Sequence, residues 1–255
     1  MQLKTTQKLA LAAMALSGAA FAQTKAPEPD YTLSYNIGVV TDYRYRGISQ
    51  SARKPALQGG IDFASKSGFY VGTWASTITW IKDSTAAPFS SKGPVEVDIY
   101  GGYKGSISDT FSYDVGALQY WYVGNNLGDT PGFANPNTLE FYGALTASVV
   151  TLKYSHSVTN LFGAPDSKGS GYLDLSATFD LGNGWSIVPH IGSQKIKHYY
   201  TYTDYSLTGA KDLGNGLAVS LAVVGTNKSN FFTLPGTGTK DLGKSALVAG
   251  LKYSF

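Results

Sequence analysis

The strongest constraint on the fold of this chain is a two-residue alternation of apolar and polar side chains that recurs from Leu33 to the last residue. Side chains of a β-strand point to alternate faces, so each alternating segment has one apolar and one polar face. The clearest segments begin near residues 33, 57, 95, 173 and 247. No segment in this part has a sustained apolar period of 3.6 residues or the ~18 apolar residues of a membrane helix. The sequence therefore predicts an all-β fold.

Seven further strands are less regular but can be placed between the clear ones. They lie near residues 69–80, 110–122, 138–147, 149–159, 185–194, 201–210 and 217–226. In residues 69–80 both faces carry aromatic side chains, so the sequence does not assign the two sides of this strand. With the five clear strands, the total is about twelve.

The links between the predicted strands alternate in length. The odd-numbered links are mostly long, at 47–55, 82–93, 124–137, 160–170 and 227–243, with a shorter one near 195–200. The even-numbered links are tight, and two of them contain Asn-Gly, which favours a two-residue hairpin. A meander with long outer loops and short periplasmic turns is typical of outer-membrane proteins. We therefore predict a transmembrane, antiparallel, up-and-down β-barrel, and the alternative is a soluble periplasmic β-sandwich.

The carboxy-terminal segment favours the barrel. Apolar residues occupy every second position from Leu247 to Tyr253 and Phe255. A lipid-facing last strand that ends on an aromatic residue is the feature by which barrel-assembly machinery recognises outer-membrane proteins. We predict that Tyr253 and Phe255 form this assembly signal and that outer-membrane lipid surrounds the barrel.

The amino-terminal segment predicts export. Lys4 and Lys8 precede the apolar run Leu9–Ala22, which ends in Ala-Phe-Ala. This pattern is typical of a secretory signal peptide, here residues 1–22, cleaved from a mature barrel at residues 23–255. The sequence has no cysteine, which excludes disulfide and thiolate chemistry. The formal charge of +3 falls to +1 without the two signal lysines, so we expect no nucleic-acid partner.

The stretch TDYRYRGISQS, residues 41–51, continues the first predicted strand. Its alternation places Tyr43 and Tyr45 on the face towards lipid, and it places Arg44 and Arg46 on the lumen wall as a positive patch. In the alternative arrangement these arginines pair with acids of another strand, Glu96 and Asp98, and plug the lumen. The same register gives our pore-lining candidates, which are Asp42, Arg44, Arg46, Asp62, Glu96, Asp98, Tyr100, Lys104, Asp114 and Glu140.

Four stretches resemble the TorF family of proteobacterial porins. The most specific is SYNIGVVTDYRYRGISQSARKPALQGGIDFASKSGFYVGTWAS, and VEVDIYGGYKG, LKYSHSVTNLFG and LGKSALVAGLKYSF resemble later parts of the same family. The resemblance covers nearly the whole mature chain. It implies an outer-membrane β-barrel that acts as a channel, and it implies neither a catalytic residue nor a particular substrate.

The sequence contains no convincing catalytic or metal-binding motif. GTKDLGKS at residues 238–245 matches the P-loop pattern, but a predicted strand follows where a P-loop needs a helix, so we interpret the match as chance. His156, His190 and His198 are too far apart in sequence for a metal cluster, and we expect them at the aromatic girdle or in loops. We expect no metal, no cofactor and no enzymatic activity, and an outer-membrane hydrolase is the last of the alternatives.

The expected function is passive transport across the outer membrane. Eight-stranded barrels are filled by side chains and sixteen-stranded porins are open, so a count of about twelve leaves the state of the lumen undecided. We predict a porin that passes small hydrophilic solutes. The main alternative is a closed barrel that binds a partner through its long outer loops.

Overall fold

The computed structural model describes residues 29–228 and 232–255, and β-strands make up most of this part of the chain. In chain order the strands are β1 (Tyr31–Val40), β2 (Arg44–Tyr45), β3 (Ile48–Ser49), β4 (Ala56–Ser65), β5 (Phe69–Thr77), β6 (Val95–Ser106), β7 (Phe111–Tyr122), β8 (Thr138–Ala147), β9 (Val150–Ser157), β10 (Gly171–Ala177), β11 (Phe179–Gly182), β12 (Trp185–Lys195), β13 (Thr201–Gly214), β14 (Leu217–Thr226) and β15 (Ala246–Ser254). One short helix, α1 (Trp80–Asp83), and two 3-10 turns, Leu127–Asp129 and Pro235–Thr237, lie in the links. None of the helices in the described ranges is long and apolar enough to cross a membrane. The predicted signal peptide, residues 1–22, lies outside the described residues.

Twelve strands, counting β10 and β11 as one, form a closed antiparallel barrel. Strands β4 to β9 and β12 to β14 each pair with the next strand in the chain, and β1 pairs with both β4 and β15. Strands β10 and β11 lie on either side of Thr178, and β10 closes the barrel by pairing with β9 and β12. Closure gives the backbone of each strand a neighbour on both sides, as a bilayer requires. The predicted up-and-down barrel of about twelve strands is confirmed, and the periplasmic sandwich is wrong.

The outer surface of the barrel is apolar. The exposed side chains on β1 include Leu33 and Ile37, and the alternation continues round the barrel to Tyr253 on β15. On β5 the exposed side chains are Phe69 and Val71, which assigns the faces of the strand whose sides the sequence left open. So many exposed apolar side chains are unusual on a surface that faces water, and they fit a band that faces lipid.

Long loops lie at one end of the barrel and tight turns at the other. The long links are 41–55, 78–94, 123–137, 158–170 and 227–245, with the shorter 196–200, and the tight turns are 66–68, 107–110, 148–149, 183–184 and 215–216. In the two Asn-Gly turns Asn183 and Asn215 have φ of 51° and 50°, the positive values that a two-residue hairpin needs. The predicted alternation of long and tight links is confirmed.

The first strand of the barrel ends earlier than the sequence predicts. Its last pair with β4 joins Val40 to Ala56, and Thr41 still bonds to Ala249 of β15. The chain then leaves the wall and folds inward, where it forms the β2–β3 hairpin before it returns at Ala56. Tyr43 is buried and Tyr45 is half-buried, so the prediction that these tyrosines face lipid is wrong. Alternation alone does not distinguish a strand that stays in the wall from a segment that leaves it, because both have two chemically different faces.

Candidate functional site in the barrel lumen

Residues 41–55, which we call the plug, fill the loop-side half of the lumen. On one side of the lumen the Tyr43 hydroxyl donates to Glu96 on β6 over 2.6 Å, and Arg46 Nη2 donates to Glu140 on β8 over 2.7 Å. Burial, and after it the negative charge of Glu96, raises the pKa of Tyr43 well above its ordinary value. The Tyr43 hydroxyl therefore remains a proton donor, and the plug is fixed to two strands of this wall.

The opposite wall meets the plug at Gly47. A Cβ placed on this glycine would come within 2.6 Å of Thr226 Cγ2 on β14 and 2.7 Å of Asp204 Cβ on β13. Gly47 also has a φ of 79°, which glycine adopts without strain. The plug thus contacts β6 and β8 on one side and β13 and β14 on the other, so it spans the lumen.

Arg46 is the central contact of the plug. The Arg46 and Glu140 side chains are only 6% and 2% exposed. Arg46 Nη1 donates to the Gln194 side chain of β12. The guanidinium carbon lies 4.1 Å from the ring centre of Tyr172 and 4.8 Å from that of Tyr45. Side chains of β8, β10 and β12 therefore surround the Arg46 charge with hydrogen-bond acceptors and an aromatic face.

Arg44 ties the plug to the last long loop. Its Nε donates to Asp42 over 2.6 Å, and its Nη1 donates to the carbonyl oxygens of Gly47, Leu242 and Lys244 over 3.0 to 3.1 Å. Two of these carbonyls belong to the loop 227–245, so one guanidinium group fixes both the turn of the plug and its neighbour. Such a fork of donors suits this role because it binds several acceptors at once.

The positive patch predicted for Arg44 and Arg46 is wrong. Both side chains are buried, at 4% and 6% exposed, and they bind groups of the protein itself. In the alternative, in which the arginines plug the lumen, the predicted partners Glu96 and Asp98 are wrong, because Arg46 pairs with Glu140. One carboxylate oxygen of Asp98 has no hydrogen-bond partner within residues 29–228 and 232–255. These differences arise because the arginines leave the wall with the plug.

Aromatic side chains pack the plug against the barrel. The ring of Tyr43 lies 5.3 Å from that of Trp74, and the ring of Tyr45 lies 5.5 Å from Tyr120 and 5.4 Å from Phe162, all edge to face. The hydroxyls of Tyr45 and Tyr120 also share a hydrogen bond of 2.7 Å. The plug is therefore held by packing as well as by its charges.

Beyond the plug, towards the tight turns, the inner face of the barrel is polar and half-exposed. We call this part of the lumen the vestibule, and its residues are Asp62, Tyr70, Tyr100, Lys104, Asp114, Tyr142, Lys153, Asp174 and His190. Four of the predicted pore-lining residues belong to it, namely Asp62, Tyr100, Lys104 and Asp114. In contrast, Glu96 and Glu140 are fully buried beside the plug.

Tyrosine hydroxyls hold the acids of the vestibule in place. Tyr100 donates to Asp62, and Tyr70 donates to Asp114 over 2.5 Å. Tyr70 on β5 also shares a hydrogen bond with Tyr142 on β8, and these two strands are not neighbours in the sheet. Side chains of separate strands therefore meet inside the barrel, which limits the width of the vestibule.

A polar cluster around His190 in the lumen was not among the pore-lining candidates. His190 Nε2 lies 2.6 Å from Asp174, and the Tyr172 hydroxyl lies 3.1 Å from both carboxylate oxygens of Asp204. The expected position of His190, at the girdle or in a loop, is wrong. Asp204 was hard to assign because the first residues of β13, Thr201 onwards, are polar on both faces.

The other motifs of the sequence do not form a reactive site. His156 is exposed and lies 3.5 Å from the Tyr154 hydroxyl, which is also exposed. The segment 238–245 is followed by strand β15, so it lacks the helix of a phosphate-binding P-loop. In the described parts of the chain, no group of three or more His, Cys, Asp or Glu residues could hold a metal ion.

The closed barrel, apolar exterior and polar lumen define a protein with the fold of an outer-membrane porin. A solved KdgM porin is similar, with a TM-score of 0.56, 10% identity and coverage of 88% of this chain and 98% of that chain. A KdgM porin in complex with disordered oligogalacturonate has a TM-score of 0.55 and 12% identity, with coverage of 88% of this chain and 98% of that chain. A NanC porin has a TM-score of 0.52 and 10% identity, with coverage of 88% of this chain and 99% of that chain. At these identities the likeness is one of fold.

The chain belongs to the Gcw_chp family, whose description is a bacterial protein of unknown function. The family model matches residues 24–255. No curated protein sequence matches the chain. The family match therefore covers the whole barrel and assigns no activity to it.

Proposed function

We propose that this protein is an outer-membrane porin of the TorF family, through which small hydrophilic solutes diffuse passively. The observation that carries the proposal is the vestibule, a polar and half-exposed inner face enclosed by an exterior that suits lipid. A solute path across a bilayer requires both surfaces at once. In this proposal residues 1–22 export the chain, the tight turns lie in the periplasm, and neither catalysis nor a cofactor is involved.

The proposed path follows the wall of the vestibule and is narrowest at the plug. Solutes would pass Asp62, Tyr100, Lys104 and Asp114 in the vestibule. The barrier at the plug consists of the remaining pore-lining candidates, which are Asp42, Arg44, Arg46, Glu96, Asp98 and Glu140. Acids outnumber lysines in the vestibule, so we expect a weak preference for cations.

The second candidate is a closed barrel that binds a partner through its long loops. The plug favours it, because the aromatic and charged contacts of residues 41–55 fill the loop-side half of the lumen. The two functions differ in one measurable property, which is conduction.

Purified protein in planar bilayers should produce small current steps, and a KCl gradient should give a reversal potential shifted weakly towards cations. Swelling of protein-loaded liposomes should fall with solute size across a series of sugars. Oligogalacturonates belong in that series because a KdgM porin was solved with one. If both the wild type and a variant without the plug fail to conduct and to swell, the channel proposal is contradicted and the partner-binding barrel is favoured.

Deleting Phe255 should abolish most of the insertion into the outer membrane. Its backbone N–H and carbonyl both bond to Tyr35, over 3.0 and 2.9 Å, and its ring stacks on Tyr35 and Tyr253 at 5.6 Å. The deletion would therefore remove the last pair that closes the barrel, together with the proposed signal for the assembly machinery. The measurement is the heat-modifiable band in isolated outer membranes, and Phe255→Tyr, which keeps the ring, is the control. Full yield of the truncated protein would contradict the proposal.

A further inference from the structure

A cavity of about 360 Å³ lies at the loop-side end of the barrel. The plug supplies its floor through Tyr45, Ile48 and Gln50, and the long loops and the β12–β13 link supply its sides. This size falls within the range of small-molecule sites, which is roughly 300–1,000 Å³. The cavity is separate from the vestibule, because the plug lies between them.

Aromatic rings form much of the cavity wall. They include Tyr45, Trp80, Tyr122, Phe162, Tyr202 and Phe232. These rings also pack against each other, with centres 5.1 Å apart for Trp80 and Tyr122 and 5.1 Å for Tyr202 and Phe232, so their positions are fixed before any molecule binds. Fixed aromatic faces offer a large contact area at a low cost in conformational entropy.

Within residues 29–228 and 232–255, no lining residue of the cavity carries a formal charge. The arginine nearest to it in the chain, Arg46, is already satisfied by Glu140 and Gln194. An ion that entered the cavity would lose its hydration without gaining an opposite charge, which is costly. The cavity should therefore discriminate against ionised molecules.

Several polar groups in the lining are already used by the protein. The amide nitrogen of Gln194 donates to two backbone carbonyls, and its oxygen accepts from Arg46. Gln50 donates to the carbonyl of Ile48, and Ser84 donates to that of Trp80. Within the described residues, Trp80 Nε1 is the one buried side-chain atom of the lining residues without a hydrogen-bond partner. A sugar would have to give up water at many hydroxyls, and this single donor would not replace it. An apolar ring has no such requirement.

We infer that this cavity is a binding site for small, uncharged molecules built around an apolar or aromatic ring. Burial of the ring against the aromatic wall supplies the favourable free energy, since the site offers neither charge nor many free hydrogen-bonding groups. The site does not depend on whether the barrel conducts, so binding to it can be measured on purified protein without a current.

The four tryptophans make the binding measurable. Trp80 lines the cavity, Trp74 packs on the plug, and Trp121 and Trp185 are exposed on the outside of the barrel. In protein labelled with 5-fluorotryptophan, benzyl alcohol should shift the fluorine resonance of Trp80 in a saturable way. Benzoate and glucose at the same concentrations should not. The two outer tryptophans report partition of the alcohol into the detergent.

Filling the cavity provides the matched test. Ala164→Phe places a ring in the lining and should weaken binding of benzyl alcohol by about tenfold or more, because the new ring occupies cavity volume that the ligand needs. Ala147→Phe adds the same ring at an exposed position near the tight turns and should leave the affinity unchanged. Heat-modifiable mobility checks the fold of each variant, and Thr233→Phe replaces Ala164→Phe if the latter does not fold.

Three results would overturn the inference. One is a non-saturable shift of equal size at Trp80, Trp121 and Trp185, which means partition into detergent only. Another is wild-type affinity in the folded, cavity-filled variant. Saturable binding of glucose or benzoate at Trp80 would also overturn it, because the chemistry of the site would then be polar.

Discussion

Replacing the plug with an Asn-Gly turn should raise the conductance of the barrel by about tenfold or more, because the loop-side half of the lumen would lose the side chains that fill it. Val40 and Ala56 face each other as the last pair between β1 and β4, so a two-residue hairpin can join them without moving the wall. The variant keeps the register pairs of β1 with β4 and β15 up to Val40 and, in the wall, loses only the two hydrogen bonds between Thr41 and Ala249. The measurement is single-channel current in planar bilayers.

The link 196–200 supplies the control for this experiment. It lies at the same end of the barrel, and its flanking residues Lys195 and Thr201 are also a register pair, so Asn-Gly can replace it in the same way. The Lys197 amide of this link donates to Ser170 and the Tyr199 hydroxyl to Pro165, both outside the plug, so conductance should stay at the wild-type value. A folded variant without the plug that conducts no better than the wild type would locate the block at the Tyr70–Tyr142 bridge and would favour the partner-binding barrel.

The barrel itself was predictable because its main constraint is local. A strand between lipid and water needs an apolar residue at every second position, and this requirement is visible in short stretches such as the one from Leu33. The tight turns were also predictable, since the positive φ of Asn183 and Asn215 depends on two adjacent residues. These signals fixed the number of strands and the ends at which loops and turns lie.

The plug was not predictable, because contacts between distant residues determine it. Arg46 binds Glu140 and Gln194, which are 94 and 148 positions away in sequence, and Arg44 binds the carbonyl of Leu242, 198 positions away. Locally, residues 41–46 have the same alternation as a strand in the wall. The sequence therefore placed these charges inside the barrel but gave the wrong partners.

The buried pair of Arg46 and Glu140 should hold the plug closed. Removing one partner of a buried ion pair costs about 3–5 kcal/mol, because the remaining charge is left without compensation. In this barrel the cost is avoidable, since water can reach the remaining charge once the plug moves out of the lumen. Loss of either partner should therefore appear as opening of the channel with the barrel still folded.

We expect Glu140→Gln and Arg46→Gln each to raise the ratio of open to closed states by about a hundredfold. A loss of about 3 kcal/mol from the closed state changes this equilibrium constant by about two factors of ten. The double variant should be less open than either single variant, because two neutral amides can share a hydrogen bond and leave no buried charge. Open probability in planar bilayers measures all three. Lys66→Gln is the control. Lys66 and Asp30 form an ion pair at the surface, with side chains 58% and 95% exposed, so this variant should leave the open probability unchanged. If the effects of the two single variants simply add in the double variant, the pair does not latch the plug, and the aromatic contacts of Tyr43 and Tyr45 must hold it instead.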